Sequence, residues 1–135
     1  MSSATTPIDA TKPSIARVYD AFLNGTDNYE VDREVVRGVK KAAPEAGDLA
    51  IENRAFLIRV CRFLASQTGI TQYLDCGSGL PTAENTHQVV QRVVPGGRGG
   101  FVAKDPLGLA RRRAHRDGPE GAGGVAGALF EPAGL

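Results

Sequence analysis

In the stretch YLDCGSGLP, residues 73–81, a carboxylate precedes two glycines that have one residue between them. Asp75 is placed to end a strand, and Gly77 and Gly79 to form the turn into a helix, where free backbone N–H groups converge on one point. Glycines there let a ligand reach backbone that a side chain would screen. Such a turn can hold a nucleotide-like or anionic group, and it can equally be an ordinary strand-to-helix connection, since a lone GxG does not separate the two. Leu80 and Pro81 stand where a pyrophosphate fingerprint has its third small residue, which disfavours a dinucleotide. No phosphate-binding lysine follows the glycines, as a P-loop would require. In favour of a ligand, the carboxyl end of a strand is where open α/β sheets bind theirs. His87 suggests a general base, because imidazole titrates near neutrality, but no partner for it is in view and a surface position on the following helix is the plainer reading.

The elements that must position this turn are legible from spacing. PSIARVYDAFLNG places Ile15, Val18, Tyr19, Phe22 and Leu23 on one helical stripe, with Pro13 in the first turn and Gly25 as the stop. Tyr19 reads as core rather than ligand, and Arg17 and Asp20 fall off the stripe toward solvent. Asp27 and Asn28, in the turn after Gly25, suit either a cap of the next helix or a functional role. A second helix is predicted over DREVVRGVKKA, with Asp32 as cap and Val35, Val36 and Val39 on one face, its interior Gly38 weakening it. A third runs from Asp48 as N-cap to Gly69, carried by Phe56, Val60, Phe63 and Leu64. ITQYLD is then the first strand, PTAENTHQVVQRVVPG a helix up to Pro95, and a second strand is expected around residues 100–104, in GGFVAKD, where two glycines replace packing residues. Eleven of the seventeen glycines fall in residues 96–135, so the tail reads as weakly ordered apart from a helix near residues 107–114.

A chain of 135 residues fits one domain. Sixteen Lys and Arg against fifteen Asp and Glu give a net charge of +1, which supplies no attraction to nucleic acid or anionic membrane. The run RRR at 111–113 has no aromatic companions and reads as a solvated basic stretch. Cys61 and Cys76 form neither a disulfide framework nor a metal motif, and two reduced thiols fit a cytoplasmic protein. No apolar run approaches the roughly 18 residues of a membrane span, and the N-terminus lacks the pattern of a signal peptide.

Three stretches, PSIARVYDAFLNGTDNYEVDRE, ENRAFLIRVCRFLA and QYLDCGSGLPTAENTHQVVQRVVPG, resemble the actinobacterial S-adenosylmethionine-dependent methyltransferase family once described as a domain of unknown function. The resemblance spans about Pro13 to Gly97. It implies an α/β chain in which N-terminal helices cap the first part of a Rossmann-like class I methyltransferase fold. That divides the sequence into a flexible arm (1–12), a helical cap (13–69) and a partial cofactor-binding half with a loose tail (70–135). The implied cofactor is S-adenosylmethionine, cradled by Asp75, Cys76, Gly77, Ser78 and Gly79, with Asp75 near its charged amino-acid portion. Arg17, Tyr19, Asp27 and Asn28, together with Asp20 and Gly25, belong to the lid side of the cleft.

The chain departs from the family pattern in two places. A stretch like V-D-N-D-P ends the family's second strand and binds the ribose; here it reads FVAKDP, with Ala103 at the acid and Lys104 after it, leaving the contact to Asp105. A missing charge-assisted hydrogen bond weakens binding roughly ten- to a hundredfold. GALFEP similarly places Ala128 near an expected acid beside the adenine. The implied sheet is longer than this sequence supplies, so the expectation is a truncated, methyltransferase-like protein whose activity the sequence leaves open. The alternative is a non-enzymatic remnant or a partner-dependent fragment that self-associates through an open sheet edge. No catalytic residue and no methyl acceptor can be named from the residues.

Overall fold

The computed structural model describes residues 7–103, Leu107 and residues 123–126. Three helices precede the first strand as expected: α1 (Ile15–Phe22), α2 (Glu30–Ala42) and α3 (Ala46–Gln67). They are followed by β1 (Gln72–Cys76), α4 (Thr86–Val93), β2 (Arg98–Ala103) and β3 (Gly123–Ala126). The strands are parallel in the order β1-β2-β3, with Asp75 opposite Phe101 and Val102 opposite Val125. β3 lies in the glycine-rich tail that was expected to be weakly ordered. Strand pairing there uses backbone groups, which glycine carries as well as any residue, and Gly123 and Gly124 register with Gly100 and Phe101. The rest of the expected helix near 107–114, the RRR run and Ala128 lie outside the described residues.

α1 reverses the expectation drawn from its stripe. Ile15 is 92 % exposed, whereas Arg17 and Asp20 are buried. The reason is that each polar group has a partner from another element. Arg17 Nε donates to Asp32 Oδ2 at 3.0 Å, and its Nη2 donates to the carbonyls of Asp9 and Lys12, so residues 7–12 follow the wall that α1 forms. Asp32 is at the third position of α2 rather than its cap. From there it accepts the backbone N–H groups of Tyr29 and Ser14, joining the starts of α1 and α2 through one carboxylate. Asp20 accepts from Asn28 Nδ2 at 2.7 Å and from the Thr82 hydroxyl. Gly25 passes so close that a Cβ there would meet Asp20 Oδ1 at 2.1 Å.

α3 starts at Ala46, earlier than the expected cap Asp48, which sits in its first turn. Its predicted face is also turned: Phe56 and Phe63 are exposed, and Gly47, Ala50, Arg54, Cys61 and Ala65 are buried. Small residues on that second stripe allow close approach, and α3 packs on α4 there. α4 begins at Thr86 rather than directly after Pro81, with Asn85 as N-cap and Gln88 Oε1 accepting the Asn85 N–H at 2.9 Å. Val89 and Val90 on α4 are almost fully buried. Gly99, one of the two glycines that seemed to weaken β2, is with Gly97 before the strand what lets α4 lie on it. A Cβ at Gly99 would stand 2.4 Å from the His87 Cβ, and one at Gly97 2.8 Å from Val90 Cγ1. His87 is thus half-buried against β2 rather than fully at the surface.

Candidate functional site

The turn after β1 is bare on one side. Gly77 and Gly79 have φ of 77° and 63°, the left-handed region that strains any residue with a Cβ. A Cβ built on either meets no atom of the described residues within 4 Å, and what disfavours a side chain there is the backbone geometry. The space in front of them is part of a cavity of about 820 Å³, within the range of sites that enclose small organic ligands.

Three walls meet around this cavity. The glycine turn supplies Asp75, Gly77, Ser78 and Gly79; α1 and the segment before it supply Asp9, Lys12, Ile15, Arg17 and Tyr19; α3 supplies Asn53, Arg54 and Leu57. Asp75 Oδ2 accepts from the Thr86 hydroxyl at 2.8 Å, fixing the carboxylate at the mouth of the turn. Behind it Cys61 is buried, and that burial pushes its thiol above the ordinary value of 9.0, with the Asp75 charge adding to the rise and a hydrogen bond with Thr86 opposing it. That direction disfavours the thiolate, the reactive form of a cysteine. Tyr19 is not core: its ring lines the cavity, while its hydroxyl donates to the Ala50 carbonyl at 3.1 Å and accepts from Asn53 Nδ2 at 3.0 Å.

Of the residues singled out from sequence, Arg17, Tyr19, Asp75, Gly77, Ser78 and Gly79 converge on this one cavity. Cys76 is exposed and is not among its lining residues. Asn28 donates to Asp20 and to the Gly25 carbonyl and accepts from Arg33, which makes it a staple of the turn after α1; Asp27 beside it is half-buried, and neither lines the cavity. Asp105 lies outside the described residues.

Arg54 escaped the sequence reading. It lies on the same face of α3 as Ala50, Leu57 and Cys61, and a cation inside a stripe of small and apolar residues was the available signal. It is 8 % exposed, and its Nε is buried without a hydrogen-bond partner among the described residues.

The profile of the S-adenosyl methyltransferase family matches residues 1–133. Two solved structures are similar. One is a candidate methyltransferase from Thermobifida fusca YX, 44 % identical, with a TM-score of 0.83 over 90 % of this chain and 48 % of that one. The other is a DUF574 family protein from Streptomyces avermitilis MA-4680, 32 % identical, with a TM-score of 0.88 over 94 % of this chain and 49 % of that one. The chain thus spans about half the length of the solved proteins it matches. No curated protein matches it.

Proposed function

Because the chain belongs to the S-adenosyl methyltransferase family, we propose that the cavity in front of the glycine turn is a site for S-adenosylmethionine and that the protein serves methyl transfer. The observation that carries this reading is the turn after β1, with Gly77 and Gly79 at left-handed φ, opening on a cavity of cofactor size at the carboxyl end of that strand. The residues present fit the group. A buried guanidinium, its Nε without a hydrogen-bond partner among the described residues, and a carboxylate face the same space, as suits a ligand bearing both signs of charge.

When bound, S-adenosylmethionine supplies a methyl group on a positively charged sulfur, open to attack by a nucleophile. This chain's residues hold and orient. Asp75, kept in place by Thr86, offers an acceptor to a cationic group; the Gly77–Gly79 backbone gives close approach; Tyr19, anchored through Ala50 and Asn53, forms the facing wall. In this reading residues 13–69 cap a cofactor half that starts at residue 70. Alignment of the reacting groups is then the main catalytic contribution. Two free thiols, Cys61 and Cys76, suit a reducing cytoplasm.

Calorimetric titration with S-adenosylmethionine and S-adenosylhomocysteine tests the assignment. Micromolar binding by the chain, lost or weakened at least tenfold in Asp75→Ala, is the expected result. Absence of heat from a folded sample would sink it.

A second reading, a fragment that works with a partner, is favoured by the outer face of β1. There Leu74 is 68 % exposed, and among the described residues no strand pairs with the outer edge of β1. An open edge beside an apolar face is a surface on which further elements settle.

A further inference from the structure

We propose that Arg54 is the carboxylate receptor of this site and selects ligands that carry an α-carboxylate at the end facing the glycine turn. The inference rests on the cofactor reading above and deepens it. Two buried arginines line the cavity, and their hydrogen bonding differs. Arg17 is engaged by Asp32 and by the carbonyls of Asp9 and Lys12. Arg54 is also buried, at 8 % exposure, and among the described residues its Nε has no hydrogen-bond partner and it takes part in none of the ion pairs. A buried guanidinium requires an anion, and its fork of donors matches the two oxygens of a carboxylate.

The surroundings say which end of a ligand this is. Arg54 shares the cavity with Gly77, Ser78 and Gly79, whose turn brings backbone to the ligand, and with Asp75. One Asp75 oxygen is taken by Thr86, and the described residues give the other no hydrogen bond. A cation receptor and an anion receptor on one small cavity match the zwitterion of an amino acid, the ammonium toward Asp75 and the carboxylate toward Arg54. Arg17, held by its own partners, is scaffold and does not compete for the carboxylate.

The experiment compares three ligands by calorimetry on the chain and on Arg54→Met, which keeps the apolar stem. S-adenosylhomocysteine has the carboxylate, its decarboxylated analogue lacks only that group, and methylthioadenosine lacks the whole amino-acid portion. The chain is expected to bind S-adenosylhomocysteine about ten- to a hundredfold more tightly than the decarboxylated analogue, the loss that accompanies one charge-assisted contact. Arg54→Met should lose that preference and leave methylthioadenosine affinity within twofold. Equal affinity of the unaltered chain for the first two ligands would overturn the proposal while leaving the cofactor reading intact, and this comparison does not depend on the variant's folding. Equal weakening of all three ligands in Arg54→Met would also overturn it, because it marks a structural role. Binding of none of the three by the folded chain would overturn both readings together.

Discussion

Arg17 and Asp32 show how much a single residue can hold in this protein. Their side chains are 4 % and 0 % exposed, and the Asp32 carboxylate also takes two backbone N–H groups from the starts of α1 and α2. Removing one partner of a buried pair leaves the other charge without water or counter-ion, which costs about 3–5 kcal/mol. Asp32→Ala should therefore lower the unfolding free energy by about that amount in urea titration. The double variant Arg17→Met/Asp32→Ala should recover part of it, since the stranded cation is gone. A double variant no more stable than Asp32→Ala would show that the lost backbone contacts dominate instead.

At the scale of elements, the glycines divide by what stands opposite them. Gly99 in β2 lies under α4, where a Cβ would meet the His87 Cβ at 2.4 Å and its backbone Cα at 3.0 Å. Gly99→Val should push α4 off the sheet and destabilise by about 1–3 kcal/mol, the usual cost of overpacking. Gly38, inside α2, has nothing of the described residues within 4 Å of an added Cβ. Gly38→Ala should stabilise by about 0.5–1 kcal/mol, because alanine loses less backbone entropy on entering a helix. Thermal melting of the two variants tests both signs: a Gly99→Val variant as stable as the parent would mean that α4 does not bear on β2 as described, and a destabilised Gly38→Ala would mean that the α2 position is not open to a side chain.

For the whole molecule, the issue is what covers the far face of the sheet. α4 contacts β1 on the side of Asp75, through Thr86, and exposure alternates along β1, with Gln72, Leu74 and Cys76 on the open face. Leu49, Phe56 and Phe63 are also exposed, seven residues apart along α3. Among the described residues no helix is long and apolar enough to cross a membrane. If the outer face of β1 is an association surface, sedimentation velocity should show a mass that rises with concentration, and Leu74→Lys should suppress it. A monomer at all concentrations would leave the partner reading without support.

The order of elements and the glycine turn could be read from sequence because both are local: apolar spacing marks a helix, and a left-handed turn admits glycine at Gly77 and Gly79 whatever the rest of the chain does. The faces of α1 and α3 could not be read that way. Spacing ranks residues by apolarity, and these helices bury charged and small ones: Arg17 and Asp20 on α1, and Ala50, Arg54, Cys61 and Ala65 on α3. Burial of a charge is decided by a partner brought from elsewhere, and here the partners are distant in sequence. Arg17 meets Asp32 fifteen residues on, and Asp20 meets Thr82 sixty-two residues on. Sequence alone thus determined that a strand, a bare turn and a helix follow three helices. Only the tertiary structure decided which cations are satisfied within the protein, Arg17 among them, and that Arg54 faces the cavity with its Nε unmatched, because a desolvated charge is stabilised by three-dimensional neighbours and not by its place in a helical repeat.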